Sequence, residues 1–543
     1  MLKAEFLTCP IYDRPTKHPG RALTDTAASF ASRFPAKLRA GTLASPVALP
    51  LAMLILAMIG RSASTTCADV SWLLTVGERV LAGARPYVDI IETNPPASFL
   101  IYMPAIVIGR IVGLAPEIAV TVLVFIAALG SVALAQRILA EGRLRHPASE
   151  PLLLAAALFL LLIMPAYVFG QREHIAAIAV LPMLAAYGAR AQRVGVAAGL
   201  AVLAGLGAGV AIALKPHFAL PVLLPLPYVA MRLRGKAKGW IAAALTIEML
   251  TAGLVVASYL ASILLFFPAF VSDTLPEVAA VYLSAKMSLP QFATNPTLLL
   301  SAAILLTLRL TGRDSLGEPA TAVLMLAAAG FLAAMLIQFK GWPYHGYPVI
   351  ALGLMACARL VAQRLVPSTT DPKQGTPIGA SSRLVVAAVA AFTIACLATS
   401  YFADDDQIPG LATMVARLAP PHPKVIALSG GVGLGHPLTR RVSGEWAARQ
   451  GSQWILASVG PLLDDANLDP GRRARILAYE RSARDMLAED ISHNRPDVVL
   501  VQNDAWRAWI ASHAEIKAVL NGYREAAKVS GVSILLRGGT GRS

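Results

Sequence analysis

Between residues 43 and 402 one long apolar run follows another with only short polar breaks, and this repetition decides what the chain can fold into. A bilayer core about 30 Å thick is crossed by about 20 helical residues. Inside it every backbone polar group must find its partner within the segment, so the runs read as helices. They fall at 43–60, 97–113, 117–136, 151–169, 175–189, 196–214, 217–231, 240–267, 296–312, 319–339, 347–365 and 384–402. Only 15% of the residues are charged, against about 25% in a soluble domain. From residue 403 onward the composition becomes that of a soluble domain. The expected organisation is a basic cytoplasmic tail (1–42), a membrane domain (43–402) with a first loop at 61–96, and a small extracytoplasmic domain (403–543).

The formal charge of +15 does not indicate nucleic acid, because the C-terminal part holds 17 Lys+Arg against 15 Asp+Glu. The surplus sits at the ends of the apolar runs, as the positive-inside rule requires. With the N-terminus inside, 97–113 lying at the interface and the other eleven runs crossing, the inner segments and span ends carry 22 Lys+Arg. The outer segments before residue 403 carry eight. That asymmetry sends the C-terminal domain outside. The four cysteines, Cys9, Cys67, Cys357 and Cys396, have neither metal-site nor disulfide-framework spacing. Gly205, Gly207 and Gly209 predict close helix packing.

Polar groups at membrane depth are functional candidates. Four clusters stand out, all on the outer face in this topology. The first loop carries Asp69, Glu78, Arg79, Arg85, Tyr87, Asp89, Glu92 and Asn94-Pro95-Pro96. Gln171-Arg172-Glu173-His174 and Lys215-Pro216-His217 are squeezed between apolar runs. The fourth is Lys340-Gly341-Trp342-Pro343-Tyr344-His345. Carboxylates supply a general base or hold a metal. Arg and Lys neutralise phosphate, and Trp and Tyr lie against sugar faces or at the lipid interface. Structural alternatives stand beside these readings. They are an Arg172–Glu173 turn, Lys215 and Lys340 reaching to headgroups, an aromatic belt at Trp342 and Tyr344, an amphipathic helix 70–83 on the membrane surface carrying Glu78 and Arg79, and Asp69 as a helix cap.

The run Ala68-Asp69-Val70-Ser71-Trp72, then Ala84-Arg85-Pro86-Tyr87-Val88-Asp89 and Glu92-Thr93-Asn94-Pro95-Pro96, resembles the first loop of the GT-C superfamily of polyprenyl-phosphate-sugar-dependent glycosyltransferases. The bacterial branch related to the protein mannosyltransferase and aminoarabinose transferase families is the nearest in kind. The resemblance covers roughly residues 40–402. It implies a polytopic α-helical membrane protein with a small C-terminal α/β domain, sited in a bacterial inner membrane. Its donor would be a sugar on polyprenyl phosphate. The acceptor would be an envelope glycan, lipid or protein, and the anomeric centre would invert. Asp69 would be the general base. Gln171, Arg172, Glu173, His174, Lys215, Lys340, Trp342, Tyr344, His345 and Asn94 would bind donor phosphate or sugar, with His217 beside them.

Many relatives have Asp-Glu where this chain has Asp69-Val70, and Lys-Pro-Pro where it has Asn94-Pro95-Pro96. A first-loop divalent metal, Mg or Mn, would therefore rest on Asp89 or Glu92, and phosphate binding would move to Arg172 or Lys340. A transporter or flippase of lipid-linked sugars is a rival reading, but it predicts internal repeats and broken mid-membrane helices that the sequence lacks. An O-antigen ligase or polymerase predicts a large late loop, whereas the chemistry here is in the first.

In the C-terminal domain 424–428, 497–501 and 532–536 read as buried strands, with helices at 468–490 and 506–521. The glycine-rich 429–435 has neither GxGxxG nor Walker spacing, so nucleotide binding is not expected.

Overall fold

The computed structural model describes residues 46–538 apart from 143–144, 146–148, 235, 284–285, 312–316, 366–377 and 406. The expected tail 1–42 lies outside the described residues. The helices are α1 (Ala48–Ser62), α2 (Ala68–Leu81), α3 (Ala97–Leu100), α4 (Met103–Val112), α5 (Pro116–Glu141), α6 (Glu150–Leu158, continued by a π-turn), α7 (Arg172–Ala191), α8 (Ala198–Leu214), α9 (Ala219–Leu223), α10 (Leu226–Arg234), α11 (Lys236–Ala244) and α12 (Ile247–Phe266). After an irregular segment, 270–282, come α13 (Leu289–Ala293), α14 (Pro296–Leu310), α15 (Pro319–Gln338), α16 (Pro343–Leu365) and α17 (Ile378–Ala403). Among the described residues seven helices are long and apolar enough to cross a membrane, and shorter apolar helices such as α1 and α8 complete the bundle. The chain is a multi-pass membrane protein.

Three expected runs are divided. Pro225 separates α9 from α10, where it cannot donate to the preceding turn. The 240–267 run is not one helix: α11 folds back beside α10, and α12 starts anew at Ile247. The 97–113 run is two short helices, α3 and α4, rather than one. Arg440 of the C-terminal domain binds Glu78, which precedes the run, at 2.5 Å, and Glu117, which follows it, at 2.5 Å. The chain before the run and the chain after it therefore meet at one residue of the C-terminal domain.

Glycine sets close helix contacts. A Cβ on Gly205 would lie 2.3 Å from the Glu248 carbonyl oxygen, and one on Gly209 2.6 Å from Val255 Cβ, so α8 and α12 touch backbone to backbone. Gly207 meets Ala179 of α7 in the same way. At one end of the bundle Arg190 pairs with Glu248 at 3.1 Å, and Arg359 with Glu318 at 3.0 Å. This is the end that the charge count places inside. The polar clusters gather at the other end, together with the C-terminal domain.

That domain is a five-stranded sheet in the order β2-β1-β3-β5-β4. The strands are β1 (Lys424–Leu428), β2 (Glu445–Trp446), β3 (Val498–Val501), β4 (Tyr523–Val529) and β5 (Val532–Arg537). Strands β1, β2 and β3 are parallel, and β5 runs antiparallel to β3 and β4. The helices α18 (Trp454–Leu463) and α19 (Pro470–Asn494) pack together. The expected helix 506–521 is two, Asp504–Ser512 and Ala514–Val519, divided at His513. Strands β2 and β4 escape a search for apolar runs, because β2 has two residues and β4 is mostly solvent-facing.

Candidate active site

Asp69 is the second residue of α2, where the positive end of the helix dipole favours a carboxylate. Its Oδ2 accepts from Gln171 Nε2 at 3.0 Å, and the same amide nitrogen lies 2.8 Å from Cys67 Sγ. Arg172 Nη2 stands 3.8 Å from Asp69 Oδ2. The Asp69 side chain keeps 22% exposure, whereas Arg172 keeps 5%. The Tyr167 hydroxyl accepts from the Ala68 N–H at 3.1 Å, so the start of α2 is tied to the loop before α7.

The next layer is deeper. Glu173 Oε1 receives Lys215 Nζ at 2.5 Å and lies 3.6 Å from His345 Nε2. All three side chains are buried. The Lys215 ammonium is 5.6 Å from the Tyr344 ring centre. This joins three separate sequence clusters. Arg172 faces Asp69, and it is Lys215 that holds Glu173. Lys215 is spent on a buried ion pair and does not reach to headgroups.

Buried polar atoms almost always have partners, yet several here have none among the described residues. They are Gln171 Oε1, Arg172 Nε and Nη1, Glu173 Oε2, His217 Nε2, and both ring nitrogens of His345. A buried guanidinium with two unsatisfied N–H directions beside a half-open carboxylate is suited to an anion.

The remaining expected residues are placed differently. His174 Nδ1 accepts from the Gly170 N–H at 2.9 Å, and its Nε2 donates to the Leu161 carbonyl at 2.7 Å. Both ring nitrogens thus go to backbone, and the ring locks the turn that presents Gln171 and Arg172. Gly170 allows that turn with φ of +78°. Lys340 Nζ donates to the Tyr282 carbonyl at 2.5 Å and sits 4.2 Å from that ring's centre. Burial, reinforced by the charge of Lys286, lowers its pKa to about 8. Trp342 remains 37% exposed beside Tyr344 and His345.

Asn94 donates to Glu92 Oε1 at 2.5 Å, and its carbonyl accepts from the Tyr87 hydroxyl at 2.8 Å. Glu92 Oε2 accepts from Trp72 Nε1 at 2.5 Å. Both oxygens of Asp89 are taken by Arg85, at 2.8 and 2.9 Å, in an exposed turn. Arg85 and its hydrogen bonds pull the Asp89 carboxyl down to about 2. Asp89 and Glu92 are thus committed to different partners and do not fit a shared metal. No cluster of three metal-ligating side chains occurs among the described residues.

Helix α2 does not lie on a membrane surface. Glu78 meets Arg440, Arg79 donates to the Ala448 carbonyl at 2.9 Å, and Ser71 to Leu74 are buried. The polar stripe that suggests a surface helix is a docking face for the C-terminal domain. Sequence reasoning also misses Tyr282, whose phenol is pushed up by burial and by the nearby Asp69 charge. Tyr282 is the last residue of a run of π-turns, and such turns leave no pattern in the sequence.

No protein-family model matches the chain, and no curated protein matches it in sequence. Among solved structures it is similar to ArnT from Cupriavidus metallidurans bound to undecaprenyl phosphate, with 14% identity and TM-score 0.54 over 90% of this chain and 97% of that one. It is similar also to the apo state of that protein, with 12% identity and TM-score 0.52 over 89% and 97%. The chain therefore shares the fold of that protein.

Proposed function

We propose that the chain is a membrane glycosyltransferase that moves a monosaccharide from a polyprenyl-phosphate donor to a cell-envelope glycan, lipid or protein, at the outer face of a bacterial inner membrane. The reading places the N-terminus in the cytoplasm and the C-terminal domain outside. The observation that carries it is Arg172: buried, with Nε and Nη1 unpartnered among the described residues, and 3.8 Å from the only partly covered Asp69. The likeness in fold to a protein solved with undecaprenyl phosphate supports a lipid-phosphate donor.

The reaction divides between these two residues. Asp69 takes the proton of an acceptor hydroxyl as its oxygen attacks the anomeric carbon. The bond from that carbon to the phosphate oxygen breaks on the opposite side, so the configuration inverts. The electron pair leaves on polyprenyl phosphate, and Arg172 neutralises the charge that grows there. Gln171 orients Asp69 through its 3.0 Å bond. His345, His217 and the second oxygen of Glu173 provide polar contacts for sugar hydroxyls, and His174 holds the turn behind them. Tyr344 and Trp342 supply apolar faces. Lys340, seated on Tyr282, adds positive potential at the rim, and Asn94 shapes the first loop through Glu92. No step needs Asp89 or Glu92 as metal ligands.

The test is turnover by purified protein in lipid vesicles, with a panel of polyprenyl-phosphate sugars and crude envelope acceptors. Wild type releases polyprenyl phosphate, and Asp69→Asn loses about 10²–10⁴-fold in turnover while still binding polyprenyl phosphate. Full activity in Asp69→Asn removes Asp69 as the base. Movement of labelled lipid-linked sugar across the bilayer without transfer replaces the enzyme by a carrier.

A further inference from the structure

The parallel part of the C-terminal sheet runs β2-β1-β3, so the connection from β1 leads to one side of β1 and β3 lies on the other. In open α/β sheets the crevice beyond the carboxyl ends of such strands is where a ligand binds. Here protein fills it. The segment 449–454 lies across those ends: the Gln453 N–H donates to the Ser429 carbonyl at 2.8 Å, and the Ser452 hydroxyl to the Gly430 carbonyl at 3.2 Å. Gln450, Gly451, Ser452, Gln453 and Trp454 are all buried.

The other side of this strap faces the membrane domain. The Ile91 N–H donates to the Arg449 carbonyl at 2.8 Å, pairing the first loop with the strap. Gly451 lies flat on the Trp72 indole, where a Cβ would come 2.7 Å from two ring atoms. Trp72 is one turn along α2 from Asp69, and its Nε1 is fixed by Glu92 at 2.5 Å. The His436 ring, at the end of the glycine-rich loop, lies 5.3 Å from Trp72 and 4.5 Å from Trp446. At the strap's far end Trp454 meets Tyr282 edge-on, ring centres 5.7 Å apart, and Tyr282 carries Lys340.

We infer that the strap 449–454 of the C-terminal domain is a working part of the active site: Gly451, through Trp72, sets the position of Asp69, and Trp454 sets that of Tyr282. Gly451, Trp72 and Trp454 are positioning residues. The glycine-rich loop serves this contact through His436. The inference rests on Asp69 as the base.

The decisive variant is Gly451→Val in the full-length protein, in lipid. Its Cβ displaces Trp72, and a shift of about 1 Å at the base costs about 10²-fold in turnover. Binding of polyprenyl phosphate stays at the wild-type level, because Arg172 belongs to another element, α7. Hydrogen exchange of the amides in 68–81 rises at the same time. Gly451→Ala gives a smaller loss, and Trp454→Phe retains more activity than Trp454→Ala. If Gly451→Val does not fold, Trp72→Phe, which keeps a ring but loses the bond to Glu92, takes its place with the same expectations. A folded Gly451→Val with wild-type turnover overturns the inference. Equal loss of turnover and polyprenyl-phosphate binding, the mark of general loosening, also overturns it. If wild type transfers no sugar, the glycosyltransferase reading fails, and hydrogen exchange alone then decides whether the strap holds α2.

Discussion

Replacing Arg172 by Met separates a ligand-binding arginine from a structural one, because the two roles predict opposite balances between activity and stability. Arg172 has two buried N–H directions without partners among the described residues. A hydrogen bond to a charged group contributes about 1.5–3 kcal/mol. Two such bonds to a phosphate amount to about 3–6 kcal/mol, or about 10²–10⁴-fold in donor affinity and in kcat/KM. On the stability side the loss is small. The closest ionic contact is 3.8 Å long, and its partner Asp69 keeps the Gln171 bond and 22% exposure. Such a contact contributes about 0–1 kcal/mol, and removal of two unsatisfied buried donors offsets part of that. Arg172→Met is therefore expected to melt near wild type in detergent while binding of polyprenyl phosphate, measured by calorimetry, falls by at least about 10²-fold. If Arg172 were the anchor of a structural pair, the change would destabilise the fold by about 3–5 kcal/mol. A large drop in melting temperature with phosphate affinity unchanged in the folded fraction refutes the reasoning.

Three further outcomes follow from the same geometry. Lys215→Met leaves the buried Glu173 without its 2.5 Å partner and destabilises by about 3–5 kcal/mol; the double variant with Glu173→Met recovers part of that, seen as a non-additive melting temperature. Gly205→Leu drives a side chain into the Glu248 carbonyl and costs about 3 kcal/mol, the upper end of overpacking, because backbone cannot give way; a melting temperature equal to wild type would contradict that close contact. Burial and then the neighbouring Asp273 raise the Glu277 pKa to about 7 from 4.5. The folded protein then holds a proton that the unfolded chain has lost, so this group lowers stability as pH rises from about 4.5 to 7 and no further above that. Glu277→Gln should remove this component from melting temperatures measured between pH 5 and 8, and an unchanged slope would show that the side chain is not desolvated.

The sequence by itself determined the membrane class, the close helix contact at Gly205 and the strands read at 424–428, 497–501 and 532–536, because each is a local pattern of apolar length, glycine or alternation. It also nominated Asp69, Arg172, Glu173, Lys215 and His345, since polar residues wedged between apolar runs are conspicuous wherever they occur. Only the tertiary structure decided who meets whom. Glu173 could pair with Arg172 beside it in sequence, yet it takes Lys215, 42 residues away, because α7 and α8 bring their ends together. His174 could point into the site, but the turn at Gly170 commits both its nitrogens to backbone. The 97–113 run is long enough to cross; only the folded chain shows that Arg440, more than 300 residues later, binds carboxylates on both sides of it. The part of Tyr282, Trp72 and the 449–454 strap was invisible for the same reason. Hydropathy reports whether a side chain leaves water, and each of these contacts depends on which of many possible buried partners the packed chain delivers.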